Sequence, residues 1–100
     1  MDLRELAARV NRLADEMGWS GPSSLWQRTP RNMATSVIIE AAELLEHFQW
    51  SDEPADRDEV AAEMADVLIY LLQLAHVMGI DLEQAVLTKI EDNYHTKARL

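Results

Sequence analysis

Two pairs of acidic side chains are the residues best placed to do chemistry. Glu40 and Glu43 stand three apart in Val37-Ile38-Ile39-Glu40-Ala41-Ala42-Glu43-Leu44-Leu45, and Glu63 and Asp66 repeat that spacing in Glu63-Met64-Ala65-Asp66-Val67-Leu68-Ile69-Tyr70. At about 100° per residue, positions three apart on a helix share one face. Carboxylates grouped in this way repel one another, and burying an unpaired charge is costly unless something compensates. A hard divalent cation does so. Mg²⁺, and Mn²⁺ like it, prefers oxygen ligands, and Mg²⁺ keeps waters and substrate phosphate oxygens in its shell. A single E-x-x-E pair is ordinarily the solvated stripe of an amphipathic helix. Here the surroundings argue otherwise. From Val60 to Met78 the second segment is apolar around most of a helical circumference, leaving Glu63, Asp66, Tyr70 and Gln73 as one narrow polar strip. The first pair is flanked by Val37, Leu44 and Phe48 on one side and by Ile39 and Trp50 on the other. A strip so flanked reads as a groove.

The elements that must position these acids are helices. The first is predicted over Leu3–Met17, capped by Asp2 and stopped by Gly18, with Leu3, Leu6, Ala7, Val10, Leu13 and Met17 as its core stripe. The second begins at Thr29-Pro30, a hydroxyl cap followed by a proline whose missing N–H costs nothing there, and runs to Trp50. A short polar turn around Ser51–Asp56 leads to the third, from near Asp56 to Gly79, with Asp58 and Glu59 in its first turn as the helix dipole favours. So short a connection folds the third helix back antiparallel on the second and turns the four acids toward one another. Asp81 caps the fourth helix, and Gln84 completes a capping-box pattern. The fold class expected is all-α, a four-helix, bundle-like single domain over 1–100.

Composition narrows the partners. The formal net charge of −9 disfavours nucleic acid and anionic membrane surfaces, which are bound through Lys and Arg clusters. A small polyanion remains compatible if a metal mediates the contact. With no Cys, disulfide and zinc–thiolate chemistry are excluded. The start carries alternating charges at Asp2, Arg4 and Glu5 rather than a secretory leader, and the longest apolar run is interrupted by Glu63 and Asp66, so a soluble cytoplasmic protein is expected. An apolar content of 48% in 100 residues exceeds what so small a body can bury, which points to a homodimer or homotetramer.

Other residues admit two readings each. The segment Trp19–Thr29, with Gly21, Pro22, Ser23 and Ser24 as breakers, carries Trp19 and Trp26. These indoles either pin the loop to the helices or stack on a flat ligand such as a nucleobase. Arg28 and Arg31 at the entrance of the second helix are either solvated surface or a phosphate contact beside free backbone N–H groups. Lys89, Asn93 and Lys97 share a stripe of the fourth helix, ordinarily a solubilising one. His47, His76 and His95 show no ligand spacing, and with Gly18, Gly21 and Gly79 as the only glycines there is no phosphate loop.

Taken together, Thr29-Pro30-Arg31-Asn32, Glu40-Ala41-Ala42-Glu43-Leu44-Leu45-Glu46-His47-Phe48-Gln49-Trp50, Glu63-Met64-Ala65-Asp66-Val67-Leu68-Ile69-Tyr70 and Lys89-Ile90-Glu91-Asp92-Asn93 resemble the MazG-like nucleotide pyrophosphohydrolases, and among them the dCTP pyrophosphatase branch. The resemblance runs from Trp19 to Asn93. It implies the all-α NTP pyrophosphatase fold, assembled as a dimer or tetramer. It also implies Mg²⁺-dependent hydrolysis of a nucleoside triphosphate, dCTP or a related dNTP, to the monophosphate and pyrophosphate. By the same resemblance Glu40, Glu43, Glu63 and Asp66 are metal ligands, and Trp50 and Tyr70 line the nucleotide pocket. Trp19 and the Trp26–Arg28 segment close over the base, and Lys89 and Asn93 contact phosphates. The chain departs from the family pattern at Gln27-Arg28, where relatives often carry Phe-His, and after Asn93, where Tyr94-His95-Thr96-Lys97 replaces a Lys-Tyr-Pro ending.

Two competing classes are weighed against this one. An acidic helical protein-interaction module would need neither metal nor nucleotide. A carboxylate-bridged redox metal protein would need Glu-x-x-His patterns, which the spacing of Glu43 and His47 and the Glu63–Asp66 pair do not supply.

Overall fold

Helix caps written into the sequence fix most of the element boundaries. A computed structural model describes residues 1–19, 21 and 24–96, and over these the chain is four helices without a strand: α1 (Leu3–Glu16), α2 (Pro30–Glu46), α3 (Arg57–Val77) and α4 (Leu82–Thr96). Asp2 Oδ1 accepts from the Glu5 N–H at 2.8 Å and Thr29 Oγ1 from the Asn32 N–H at 3.1 Å. Asp56 Oδ1 accepts from the N–H groups of Asp58 and Glu59 at 2.9 and 3.3 Å. Both α1 and α3 end on a glycine in the left-handed region, Gly18 at φ 76° and Gly79 at φ 67°. Around Gly18 the Trp19 N–H returns to Ala14 O at 2.9 Å and the Gly18 N–H to Asp15 O at 3.1 Å, the Schellman arrangement, which turns the chain so that Trp19 follows directly on the helix end.

Three expectations are corrected. The second helix stops at Glu46 rather than at Trp50. From His47 to Gln49 the N–H groups bond three residues back, to Leu44, Leu45 and Glu46, so the chain tightens into turns before the polar connection. The capping box at Asp81 is one-sided. Asp81 Oδ1 accepts from the Gln84 N–H at 3.1 Å, but the Gln84 amide donates to Thr88 Oγ1 at 3.2 Å rather than reaching back. On α1 the inward face is Val10, Asn11 and Ala14, while Leu13 and Met17 are exposed, because a polar contact from Arg28 draws Asn11 inward.

α2 and α3 pack along each other as an antiparallel hairpin, α1 lies on α3, and α4 on α1. The buried apolar core among the described residues is small: Val10, Ala14, Met33, Leu72 and Ala75. Burying a side chain the size of Met33 or Leu72 contributes about 1.5–3 kcal/mol. α4 buries none of its residues and is held by its first turn, where Glu83 Oε1 accepts from the Leu3 N–H at 2.9 Å and Arg4 pairs with Asp81 at 2.8 Å and with Glu83 at 2.5 Å. α3 is long and apolar enough to cross a membrane by length and composition alone, and 17% of that stretch is buried inside this chain. Ile38, Ile39 and Leu45 of α2 and Met64 of α3 are likewise exposed.

Candidate active site

Two stripes of matching register meet across the α2–α3 hairpin. Met33, Ser36, Glu40 and Glu43 follow one another at steps of three, four and three on α2, and Glu63, Asp66, Tyr70 and Gln73 repeat those steps on α3. Because the helices run in opposite directions, Glu43 near the end of α2 meets Glu63 near the start of α3, whereas Met33 shares a cavity with Tyr70 and Gln73. The site therefore has an acidic end and an aromatic end.

At the acidic end, one carboxylate oxygen each from Glu40, Glu43 and Glu63 lies within 4.8 Å of the others, and all three side chains are half-buried. Burial first, then hydrogen bonding to Glu43 and that residue's charge, the hydrogen bond to Glu63, and the charge of Asp66 push the Glu40 carboxyl up to about 7. Asp66, also half-buried, stands outside the three-way group, but its charge reaches Glu40. Glu63 Oε2 is buried without a hydrogen-bond partner among the described residues. A buried carboxylate oxygen left unpaired beside two further carboxylates is the electrostatic signature of a cation site, and an all-oxygen donor set suits Mg²⁺ or Mn²⁺.

At the aromatic end a cavity of about 300 Å³ is lined by Trp19, Ser24, Trp26, Arg28, Met33, Tyr70 and Gln73. Tyr70 joins the two ends: burial raises the pKa of its hydroxyl first, and the negative charges of Glu40, Asp66 and Glu43 add to it. The Trp26 indole N–H donates to the buried Ser36 Oγ at 2.8 Å, which fixes the ring over the first turns of α2. Asn32 donates from Nδ2 to Gln27 O at 2.9 Å and Gln27 in turn to Ser24 O, so the segment 24–29 is stapled to the start of α2. The Arg28 side chain, only 7% exposed, bonds to Asn11 Oδ1 and lies 3.9 Å from Asp15. Its burial lowers the guanidinium pKa, opposed by Asp15. Larger hollows of about 570 and 460 Å³, one walled by α1 and the start of α4 and one beside Asp15 and His76, carry none of the four acids. The smaller cavity is likewise lined by none of the four acids, but Tyr70 on its wall feels the charges of Glu40, Asp66 and Glu43, so aromatic surface and acidic cluster adjoin there.

The hairpin brings Glu40, Glu43, Glu63, Asp66 and Tyr70 together, and the loop brings Trp19, Trp26 and Arg28 to the same groove. Trp50 is 89% exposed and is not a wall of the cavity. Lys89 is exposed and Asn93 half-buried on α4, which packs on α1 rather than on the hairpin. Pro22, Ser23 and Lys97 lie outside the described residues. Arg28, at a position where an arginine is ordinarily solvated surface, has its side chain largely covered. Asn11 and Ser36, which anchor Arg28 and Trp26, escaped the sequence reading. The signal was a lone polar residue inside an otherwise apolar helical stripe, beside Val10 and Ala14 in one case and below Glu40 in the other.

Residues 35–99 match the MazG-like family model. Over 73 residues the chain is 38% identical to mouse dCTP pyrophosphatase 1 and 38% identical to the human protein of that name, covering 64% of this chain and 43% of each relative. The matched stretch thus spans less than half the length of these curated relatives. The crystal structure of a pyrophosphatase from Archaeoglobus fulgidus is similar with a TM-score of 0.74 and 39% identity, over 97% of this chain and 93% of that one. An all-helical chain that pairs E-x-x-E with E-x-x-D across one hairpin and matches the family model over residues 35–99 belongs to the MazG-like family.

Proposed function

We propose that this protein is a divalent-metal-dependent nucleoside triphosphate pyrophosphohydrolase acting on dCTP or a related deoxynucleotide. The observation that carries the reading is the convergence of Glu40, Glu43 and Glu63, with a buried Glu63 oxygen that has no hydrogen-bond partner among the described residues, next to a cavity walled by two tryptophans and Tyr70. The similarity to dCTP pyrophosphatases and to the archaeal pyrophosphatase supports the same activity.

In this reading Glu40, Glu43, Glu63 and Asp66 hold Mg²⁺ or Mn²⁺. The bound cation supplies neutralisation of the triphosphate charge and activation of water near neutral pH. Glu40 or Glu43 orients the attacking water and takes its proton. The water oxygen bonds to the attacked phosphorus as the α–β phosphoanhydride breaks, giving the nucleoside monophosphate and pyrophosphate. Trp19, Trp26, Arg28 and Tyr70 enclose the base and sugar. Lys89 and Asn93, remote from the hairpin in one chain, are assigned to phosphate contacts across an interface between copies, and Trp50 to the rim of the nucleotide pocket. An oligomer is supported by the apolar surface that α2, α3 and α4 leave exposed, including Ile38, Leu45, Met64, Leu87 and Ile90.

The test is incubation with each dNTP and MgCl₂, with the products resolved by anion exchange. Monophosphate and pyrophosphate should form, and Glu63→Gln should abolish turnover. Orthophosphate release, no turnover of any nucleotide, or full activity in Glu63→Gln would contradict the assignment.

A further inference from the structure

Gln73 is an amide held where an amide is least at ease. It is 2% exposed, deep in the α1–α2–α3 core beside Leu72 and Met33, and its Nε2 donor has no hydrogen-bond partner among the described residues. Buried donors in folded proteins are nearly always paired, so an unpaired one asks for the group that completes it. It lines the aromatic cavity together with Trp19, Trp26 and Tyr70. Three other polar residues of the wall are engaged: the Trp26 N–H with Ser36, the Ser24 hydroxyl with Trp26 O at 3.1 Å, and the Arg28 guanidinium with Asn11 and Asp15.

The position along α3 gives the missing partner its identity. Gln73 lies seven residues beyond Asp66 on the same stripe, about 10 Å further along the helix axis, with Tyr70 between them. A molecule whose phosphates are held at Glu63 and Asp66 and whose body passes Tyr70 ends at Gln73. We propose that Gln73 is the residue that reads the nucleobase: its carboxamide closes the end of the cavity and pairs with a base edge that sets a hydrogen-bond acceptor beside a donor. A glutamine side chain offers a donor and an acceptor side by side, the pattern that reads a base edge by two bonds at once. The tryptophans supply base-tolerant stacking, so discrimination falls to the amide. This inference rests on the nucleotide pyrophosphohydrolase reading above and adds to it the element of base selection.

The experiment compares wild type with Gln73→Met, which preserves the length of the side chain and removes its hydrogen bonding. kcat/KM is measured for the four dNTPs and for the preferred nucleotide methylated on its base-pairing edge. Inorganic tripolyphosphate serves as a competitor that has no base, and thermal unfolding is followed in parallel. In the variant, kcat/KM for the preferred dNTP should fall by roughly tenfold to a hundredfold, mainly through KM. The ranking of the bases should flatten, and the penalty for edge methylation seen in wild type should vanish. Inhibition by tripolyphosphate should be unchanged, and the melting temperature should not fall, since an orphaned donor has been removed. Gln73→Asn, which withdraws the amide by one methylene, should lie between the two. An unaltered base ranking overturns the proposal, as does an equal loss for every nucleotide together with tripolyphosphate, or a variant that melts lower than wild type. Those results leave the pyrophosphohydrolase reading intact. A wild type that turns over no nucleotide removes both.

Discussion

Replacing Glu63 by Gln separates what the acidic cluster costs the fold from what it does for a cation. Glu63 Oε2 is buried and has no hydrogen-bond partner among the described residues, and one Glu63 oxygen lies within 4.8 Å of carboxylate oxygens of Glu40 and Glu43. Leaving a buried acceptor unsatisfied costs about 1–3 kcal/mol, and like charges nearby add to it. Glu63→Gln keeps the shape, removes the charge and gives the cluster an N–H donor, so the metal-free variant should be more stable than wild type by about 1 kcal/mol. For a domain of about 100 residues that raises Tm by about 4–8 °C. Mg²⁺ should act in the opposite sense. At a hundred times its Kd a ligand stabilises the native state by about 2.7 kcal/mol, and a hundredfold loss of affinity at the same concentration leaves about 0.4 kcal/mol. Thermal melts in EDTA and in MgCl₂, at equal protomer concentration, read both effects. Wild type should gain roughly 10–20 °C from saturating Mg²⁺ and the variant a few degrees at most. A variant that melts lower than wild type in EDTA and retains the full Mg²⁺ shift would refute the reasoning, because Glu63 would then be a paired structural residue.

Three further outcomes follow from the same geometry. The Glu40 carboxyl titrates at about 7 in the fold against 4.5 ordinarily, so between those values the native state holds a proton the unfolded chain has lost. The stability of the metal-free protein should therefore fall as pH rises from about 4.5 to about 7, and the gain from Mg²⁺ should grow over that window; a metal-free Tm that climbs through it would contradict this. Leu72→Ala, at a core position 1% exposed, should destabilise by about 2–5 kcal/mol in chemical denaturation, a large share of what so small a core provides. Arg4→Ala should change global stability little, since Arg4 is exposed and its ion pairs are screened by solvent, yet it should speed amide exchange at the start of α4, which Arg4 ties to α1; unchanged protection there would count against that tether.

The parts of the fold that were legible were those set by local chemistry. Asp2, Thr29 and Asp81 each accept the backbone bonds expected of a cap, the third helix starts beside Asp56 as expected, and Gly18 and Gly79 end their helices with positive φ. The pairing of Glu40 and Glu43 with Glu63 was legible because two identical spacings and a short connection leave one way to bring apolar faces together. Features set by tertiary contacts were not. His47–Gln49 kept helical composition while tightening into turns, and Leu13 and Met17 shared a helical period with residues that are buried, whereas the polar Asn11 took the inner face because Arg28 reaches it. Arg28 itself looked more like solvated surface, since nothing local to it announces a partner seventeen residues earlier in the chain. The roles of Trp50, Lys89 and Asn93 were singled out by resemblance; Trp50 is exposed in the connection between α2 and α3, and Lys89 and Asn93 stand on α4, which packs on α1.

The central claim is that a divalent cation held by Glu40, Glu43, Glu63 and Asp66 and a nucleoside triphosphate in the adjoining cavity bind as one unit. Calorimetric titration of an α,β-imido deoxynucleotide into the protein, with and without Mg²⁺, tests it most directly. Binding should be strong in Mg²⁺ and lost in EDTA, with the nucleotide raising Mg²⁺ affinity by the same factor, as linkage requires. Equal nucleotide binding in EDTA, or no binding in either condition, would contradict the account.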